Sequence, residues 1–143
     1  MILLDTNVLS ELMKSTPDAG VLEWMDALPA AEYTISAITK AEIQLGIALL
    51  PDGKRKTKIE QAANLMFAEF PKRCLSFDSD AASRYGDIVA NRIRIGRPIS
   101  VEDAQIAAIA LVHDMTIATR NTNDFELIKG LTITNPWSAE VVK

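Results

Sequence analysis

The chain opens with Met1-Ile2-Leu3-Leu4-Asp5-Thr6-Asn7, and this stretch indicates its fold. Its four consecutive apolar residues are typical of a short strand that is buried on both faces, as in a parallel sheet. The strand ends at a carboxylate, a hydroxyl and an amide, and open α/β sheets bind ligands beyond the carboxyl ends of their strands. Asp5 is therefore a candidate functional residue. The alternative is that Asp5, Thr6 and Asn7 only cap the next helix, predicted over residues 8–13.

The rest of the chain alternates between strands and helices. Apolar spacing predicts helices over residues 19–28, 37–50, 54–70, 78–95 and 100–114, with a short helical turn at 125–129. Further strands are predicted at residues 33–36, 74–77, 115–119 and 131–134. This order predicts an α/β fold with a central parallel sheet of about five strands, α-helices on both faces and right-handed crossovers. We expect residues 1–143 to form a single domain.

The composition limits the class of protein. Hydrophobic residues make up 48% of the chain and charged residues 24%, which is typical of a globular protein and excludes a disordered one. No apolar run approaches the roughly 20 residues that span a bilayer, and the amino terminus lacks the basic leader of a signal peptide. The single cysteine has no partner for an internal disulfide. We therefore expect a cytoplasmic protein without a membrane partner.

The net charge of −4 is unevenly distributed along the chain. Residues 1–52 carry eight acidic and two basic residues, residues 53–100 carry five and ten, and residues 101–143 carry six and three. A basic middle between acidic ends suits a nucleic-acid contact surface around an acidic site that holds metal. It also suits an ordinary solvated helix face, and the charge pattern alone does not distinguish the two.

Glu42 is predicted to lie on an apolar side of its helix. It is two residues from both Lys40 and Gln44, which mark the solvent face, and two residues correspond to about 200° of rotation. The stripe that Glu42 shares is otherwise apolar and consists of Ile38, Leu45 and Leu49. A lone carboxylate there would lose on the order of several kcal/mol to desolvation unless it is paired or binds a metal. A salt bridge to an arginine or lysine is the alternative.

Two further positions carry oxygen ligands. Asp103 lies one turn before apolar residues on the inward face of its helix, although the segment 100–103 also resembles a capping box. The loop after the fourth predicted strand contains Asn121 and Asp124, and either residue also suits a helix N-cap. Four oxygen-bearing groups at one edge of a parallel sheet indicate a site for a hard divalent cation such as Mg²⁺ or Mn²⁺. No cluster of histidine and cysteine indicates zinc.

Four segments, at residues 1–7, 36–46, 103–108 and 118–125, resemble the PIN-domain toxins of the VapC and FitB type in order and approximate spacing. The resemblance covers essentially the whole chain, including the closing Asn135-Pro136-Trp137. It implies a PIN-domain fold and a Mg²⁺- or Mn²⁺-dependent endoribonuclease that hydrolyses RNA phosphodiester bonds with a metal-activated water. Such proteins are the toxin components of type II toxin–antitoxin modules.

The resemblance also implies roles for particular residues. The positions that match the family's catalytic, metal-binding acids are Asp5, Glu42, Asp103 and Asp124. The fourth acid varies in position within the family, so either Asp124 or Asn121, which ligates only through its carbonyl, takes that place. Thr6 and Thr119 resemble hydroxyl residues that orient the acids or a bound water. From charge alone, the candidate RNA contacts are Lys54, Arg55, Arg92, Arg94, Arg97 and Arg120.

The partners that the resemblance implies are an RNA substrate and a DNA-binding antitoxin of the VapB or FitA type. The antitoxin is expected to direct a basic side chain at the acids and to carry the toxin to operator DNA, in a heterotetramer or a larger assembly. A homodimer is expected because Ile43, Ile47 and Leu50 form a second apolar stripe on helix 37–50. The alternative cover for that stripe is helix 54–70 of the same chain.

Two other functions compete with the nuclease. In the first, the chain is a weakly active or inactive corepressor that binds operator DNA only together with its antitoxin. A pure binding module has no need of three inward carboxylates, which favours the nuclease. In the second, the chain is a flavodoxin-like phospho-acceptor, but the paired acids and the downstream lysine of such a domain are missing from the sequence.

Overall fold

The computed structural model describes residues 1–70 and 73–138. Within these ranges, five strands pair in parallel in the order β3-β2-β1-β4-β5, so β1 lies at the centre of the sheet. The strands are β1 (Ile2–Leu4), β2 (Tyr33–Ser36), β3 (Cys74–Leu75), β4 (Thr116–Ala118) and β5 (Ile133–Thr134). The predicted parallel sheet is confirmed, although most strands are shorter than expected.

The helices of the described residues follow the predicted order. They are α1 (Thr6–Leu12), α2 (Ala19–Asp26), α3 (Ala37–Ala48), α4 (Lys54–Ala68), α5 (Ser79–Arg94), α6 (Val101–Val112) and α7 (Thr122–Phe125), with a 3₁₀ turn at Ala30–Glu32. The helical turn predicted at 125–129 is wrong, because α7 begins three residues earlier. The chain leaves the helical conformation after Phe125, and Leu127 has a φ of 62°. None of these helices is long and apolar enough to cross a membrane.

The first strand is buried on both faces, as its four apolar residues predict. Leu3 packs with α5 and α6 on one side of the sheet, whereas Ile2 and Leu4 pack with residues of α1 to α4 on the other. All three side chains are 5% exposed or less. Successive residues of a strand point to opposite faces, so a continuous apolar run is required where helices cover both. The sheet therefore holds residue 5, which follows β1, at the centre of its carboxyl edge.

The inward face of α3 differs from the prediction. Leu45 and Leu49 are 60% and 75% exposed, whereas Ile43 and Ile47 are buried among residues of α1, α2 and α4. The prediction that this stripe faces inward is therefore wrong for Leu45 and Leu49. The stripe predicted to face a second subunit is largely covered within the chain. Glu42 lies at the edge of the buried stripe, three residues after the buried Thr39.

Candidate functional site

A cavity of about 380 Å³ lies at the carboxyl ends of the central strands. Residues that follow β1 and β4 line it, together with residues of α1, α3 and α6. The lining consists of Asp5, Thr6, Asn7, Ser10, Glu11, Lys14, Glu42, Asp103, Arg120, Asn121 and Trp137. The structure thus brings together the three acids that the sequence singles out in distant segments. We call this space the acid cavity.

Asp5 is the most constrained of these acids. Its side chain is 6% exposed, and its carboxylate accepts hydrogen bonds from the Thr6 backbone N–H and from the Thr119 hydroxyl, each at 2.8 Å. Burial raises the pKa of Asp5 despite these two donors, and the negative charge of Asp124 adds to the rise. Asp5 is also the N-cap of α1, as the alternative interpretation proposed. Capping orients the carboxylate without removing it from the cavity.

A small hydrogen-bond network fixes the loop after β4 against the end of β1. The Asn7 side-chain amide donates to the Thr119 hydroxyl at 3.2 Å, and its carbonyl accepts from the Arg120 backbone N–H at 3.1 Å. The Asn121 backbone N–H also donates to the Thr119 hydroxyl, at 3.1 Å. Thr119 is fully buried. These contacts hold Asp5 and the loop that carries Asn121 in a fixed relation.

Glu42 reaches the acid cavity from α3. The Thr6 hydroxyl donates to Glu42 Oε1 at 2.7 Å, and the Thr39 hydroxyl lies 3.2 Å from that of Thr6. Burial raises the pKa of Glu42, the Thr6 hydrogen bond opposes the rise, and the charge of Asp5 adds to it. Within the described ranges no arginine or lysine lies within 4.0 Å of the Glu42 carboxylate. The salt bridge that would have explained Glu42 is therefore not found there.

Asp103 enters from the first turn of α6. Ser100 caps this helix by accepting a hydrogen bond from the Asp103 backbone N–H at 3.1 Å. Burial raises the pKa of Asp103 to about 6, and the charges of Asp5, Asp124 and Glu42 contribute to the rise. Asp5, Glu42 and Asp103 therefore act on one another electrostatically. A site of this kind favours either protonation or a bound cation at neutral pH.

The two candidates for the fourth ligand are placed differently. Asn121 lines the acid cavity, whereas Asp124 is exposed on α7 and does not line it. The charge of Asp124 nevertheless contributes to the raised pKa of both Asp5 and Asp103. Asn121 occupies the N-cap position of α7, but its side chain makes no capping hydrogen bond. Its amide is therefore not committed to the helix.

The chemistry of the lining fits a hard divalent cation. Carboxylates, hydroxyls and an amide carbonyl are the oxygen donors that Mg²⁺ and Mn²⁺ prefer. In residues 1–70 and 73–138, no three acidic, histidine or cysteine side chains meet closely enough to hold one ion as they stand. The acids instead surround the cavity. Burial, with a smaller contribution from the neighbouring carboxylates, raises the pKa of Asp5, Glu42 and Asp103, and a bound cation would favour their charged forms.

Sequence reasoning missed several residues of the acid cavity. Glu11 is 6% exposed, and its carboxylate accepts hydrogen bonds from Lys14 Nζ at 2.9 Å and from the Asp18 backbone N–H at 3.0 Å. These contacts, the Lys14 bond first, hold the pKa of Glu11 below its usual range. Glu11 lies four residues after Asn7 and therefore on the same face of α1, and this spacing could have placed it beside the site. No pattern in the sequence indicated Trp137, whose ring centroid lies 5.0 Å from the Arg120 guanidinium.

The predicted RNA contact at Arg92 is wrong. Its side chain is 4% exposed, and its guanidinium donates to the backbone carbonyls of Arg97, Asp124 and Glu126 at 2.6, 3.1 and 3.0 Å. A buried guanidinium whose Nε and Nη1 donate to three backbone carbonyls is a structural group that ties α5 to α7. Among the other candidates, Arg94 and Arg97 are exposed near the end of α5, and Arg120 lines the acid cavity. Lys54 and Arg55 line a neighbouring groove.

Comparison with known proteins identifies similar chains. A family model described as "PIN domain" matches residues 2–131. The chain is 44% identical to the plasmid stability protein StbB of Pseudomonas syringae pv. tomato, over 97% of this chain and 100% of that protein. It is also 44% identical to the VapC ribonuclease Y4jK of Sinorhizobium fredii, over 96% and 98% of the two chains. A solved structure of FitAB bound to an IR36 DNA fragment contains a similar chain, with a TM-score of 0.89, 40% identity and 98% coverage of each chain.

Proposed function

Because the chain belongs to the PIN-domain family, we propose that it is a metal-dependent endoribonuclease and the toxin of a type II toxin–antitoxin module. The observation that carries this proposal is the acid cavity, in which Asp5, Glu42 and Asp103 face one space from three elements. The similarity to a protein named VapC ribonuclease supports RNA as the substrate. The similarity to a protein named toxin FitB supports the toxin role.

The proposed cofactor is Mg²⁺ or Mn²⁺. Asp5 is the proposed central ligand because it is buried directly after the central strand β1 and the hydrogen bonds from Thr6 and Thr119 fix its carboxylate. Glu42 and Asp103 flank it, and Asn121 or Asp124 completes the set. When bound, the cation activates a water molecule and neutralises charge that develops on the phosphate.

The residues around the acids position them. Thr119 and the Thr6 backbone N–H orient the carboxylate of Asp5, and the Thr6 hydroxyl orients that of Glu42. Arg120 and Lys14 place positive charge among the acids. Arginine and lysine donate charge-assisted hydrogen bonds to phosphate oxygens, so these two side chains suit the RNA backbone on either side of the cleaved bond.

The proposed protein partner is a DNA-binding antitoxin, and the pair would act in the cytoplasm. The solved FitAB complex on a DNA fragment supports a partner that brings the chain to DNA. The proposed DNA is the operator, and the proposed assembly is a heterotetramer or larger. The antitoxin would silence the toxin by placing an arginine or lysine among the acids, because a guanidinium binds carboxylates through two parallel hydrogen bonds. Replacing that residue by alanine should restore cleavage by the assembled complex. A complex that stays assembled and silent would show that inhibition works differently.

The alternative function is a corepressor that acts on DNA only through its antitoxin. The FitAB structure with DNA favours it as the second candidate. The two functions differ in whether the acids are needed, because DNA binding through a partner does not require Asp5, Glu42 or Asp103. A protein whose acid variants repress normally and whose wild type cleaves no RNA would be the corepressor.

Cleavage of RNA by the purified protein tests the proposal. Mg²⁺ or Mn²⁺ should support cleavage and EDTA should stop it. Asp5→Asn, Glu42→Gln and Asp103→Asn should each lower the rate by several orders of magnitude. Asp80→Asn is the matched control, because Asp80 is exposed on α5 and lies outside the acid cavity. Metal-independent cleavage, or equal loss in the Asp80 variant, would contradict the proposal.

A further inference from the structure

A second cavity, of about 720 Å³, lies between α1 and α4 beside the acid cavity. The two spaces share Ser10 and Lys14 in their linings, so they adjoin each other beside α1. The lining of the second space contains basic residues and apolar residues but no acidic residue. It consists of Ser10, Met13, Lys14, Ser15, Lys54, Arg55, Lys58, Ile59 and Ala62. We call this space the basic groove.

Three of the four basic side chains of the basic groove have no acidic partner among the described residues, whereas the fourth, Lys14, pairs with Glu11 at 2.9 Å. Among the described residues no carboxylate lies within 4.0 Å of Lys54, Arg55 or Lys58, whereas Lys56, which does not line the groove, pairs with Asp52 at 3.4 Å. Three unpaired cations within five residues repel one another. They also stand in the first turns of α4, where the helix dipole disfavours positive charge. An anionic ligand would relieve both of these unfavourable interactions.

We propose that the basic groove binds the RNA backbone on one side of the cleaved phosphate, which makes α1 and α4 the substrate-binding helices. This inference rests on the proposed nuclease function and extends it to the path of the strand. Lys14 lies just beyond the C-cap of α1 and Asp5 is its N-cap, and the seven residues of α1 between them rise by roughly 10 Å. A strand whose phosphate lies at Asp5 therefore reaches the groove within a few nucleotides.

The site needs such a neighbour because the acid cavity repels RNA. Four acids and two bases line the acid cavity, whereas four bases and no acid line the basic groove. Phosphate contacts in the groove would supply most of the affinity for a strand whose reactive phosphate enters the acidic region. The apolar side chains of Met13, Ile59 and Ala62 offer contact area for the faces of unpaired bases. Together these features favour a single-stranded segment over a duplex.

Binding of fluorescein-labelled single-stranded RNA, measured by anisotropy over a salt series, tests the groove. Asp5→Asn is introduced into every protein, so that cleavage does not disturb the titration. The test variant is Lys54→Gln/Arg55→Gln/Lys58→Gln. The control is Lys40→Gln/Arg84→Gln/Lys129→Gln, which removes the same charge from three exposed positions that line neither the groove nor the acid cavity.

The test variant should bind RNA at least tenfold more weakly at low salt. Each lost phosphate contact should reduce the slope of log Kd against log salt by about 0.7, so three contacts should reduce it by about 2. The control should bind within twofold of the parent. The single variants Lys54→Gln and Lys58→Gln should each lose about one contact, which keeps the test valid if the triple variant unfolds.

An unchanged salt slope and an unchanged RNA affinity in the test variant would overturn the proposal that the basic groove binds RNA. Loss of binding to a polyglutamate peptide with RNA binding intact would do the same, and would assign the groove to an acidic protein segment. The nuclease proposal fails separately, in the cleavage assay of the otherwise unaltered protein. A protein that cleaves RNA with the same KM in the groove variant would keep its nuclease function and lose this inference.

Discussion

At the scale of single residues, the charged forms of Asp5, Glu42 and Asp103 oppose folding, because the folded protein raises the pKa of each of these three acids. Burial raises the pKa of Asp103 to about 6, above the value of about 3.9 expected in the unfolded chain. Between about pH 4 and pH 6 the folded state therefore binds more protons than the unfolded state. The contribution of Asp103 to the free energy of unfolding therefore falls as the pH rises through this window, and above it the unfavourable contribution of the charged carboxylate is complete.

Asp103→Asn should therefore raise the melting temperature of metal-free protein at pH 7.5 and reduce the fall in melting temperature between pH 5 and pH 7.5. The asparagine is uncharged at both pH values, so it removes the cost of burying a charged carboxylate and the smaller cost of its repulsion by Asp5 and Glu42. Differential scanning calorimetry in EDTA measures the effect, with Asp80→Asn as control. A lower melting temperature for Asp103→Asn at pH 7.5 would show that the favourable interaction of this carboxylate with the start of α6 outweighs the repulsion.

The acids of the cavity could be predicted from the sequence because of their positions. An ordinary solvated carboxylate is rarely found directly after a buried strand or on the apolar face of a helix. That logic found Asp5, Glu42 and Asp103, which the structure brings to one cavity. The same reasoning failed for Arg92 and Glu11. Their burial and their hydrogen-bond partners depend on the folded structure, and the spacing of residues in the sequence does not indicate them. Charge in a sequence does not distinguish an arginine that contacts solvent from one that binds three carbonyl groups.

At the scale of elements, Arg92 should matter for stability through the connection between α5 and α7. Arg92→Met leaves three backbone carbonyls without their donor, and an unsatisfied buried acceptor costs about 1–3 kcal/mol. We expect a loss of about 3 kcal/mol or more in the free energy of unfolding, measured by urea denaturation. Arg94→Met, at an exposed position two residues away on the same helix, should change it by less than about 0.5 kcal/mol. Equal effects of the two variants would contradict this role.

Some features of the elements follow from the sequence and others do not. The continuous apolar run of β1 predicts a strand with helices on both faces of the sheet, and the structure confirms it. Helix α3 has apolar residues around most of its circumference, so periodicity does not select its inward face. Packing against α4 selects Ile43 and Ile47 and leaves Leu45 and Leu49 exposed. The start of α7 was missed because both Asn121 and Asp124 suit an N-cap.

At the scale of the whole molecule, the homodimer remains a prediction, and the structure changes the surface that it would use. Leu45 and Leu49, one turn apart on α3, are the exposed apolar residues of that helix. Light scattering at micromolar concentration should give twice the 15.7 kDa chain mass, and Leu45→Lys/Leu49→Lys should give the single chain. Leu22→Lys, at a 41% exposed position on α2, is the control and should stay dimeric. A wild-type species of 15.7 kDa would refute the dimer.

The shared cation site of Asp5, Glu42 and Asp103 is tested most directly by calorimetric titration of Mn²⁺ into metal-free protein. The wild type should bind Mn²⁺ saturably, and its melting temperature should rise with the free Mn²⁺ concentration through ligand linkage. Asp5→Asn, Glu42→Gln and Asp103→Asn should each weaken this binding at least tenfold, whereas Asp80→Asn should bind as the wild type does. Wild-type affinity in any of the three variants would remove that residue from the site. The absence of saturable binding at millimolar Mn²⁺ would contradict a metal-dependent nuclease altogether.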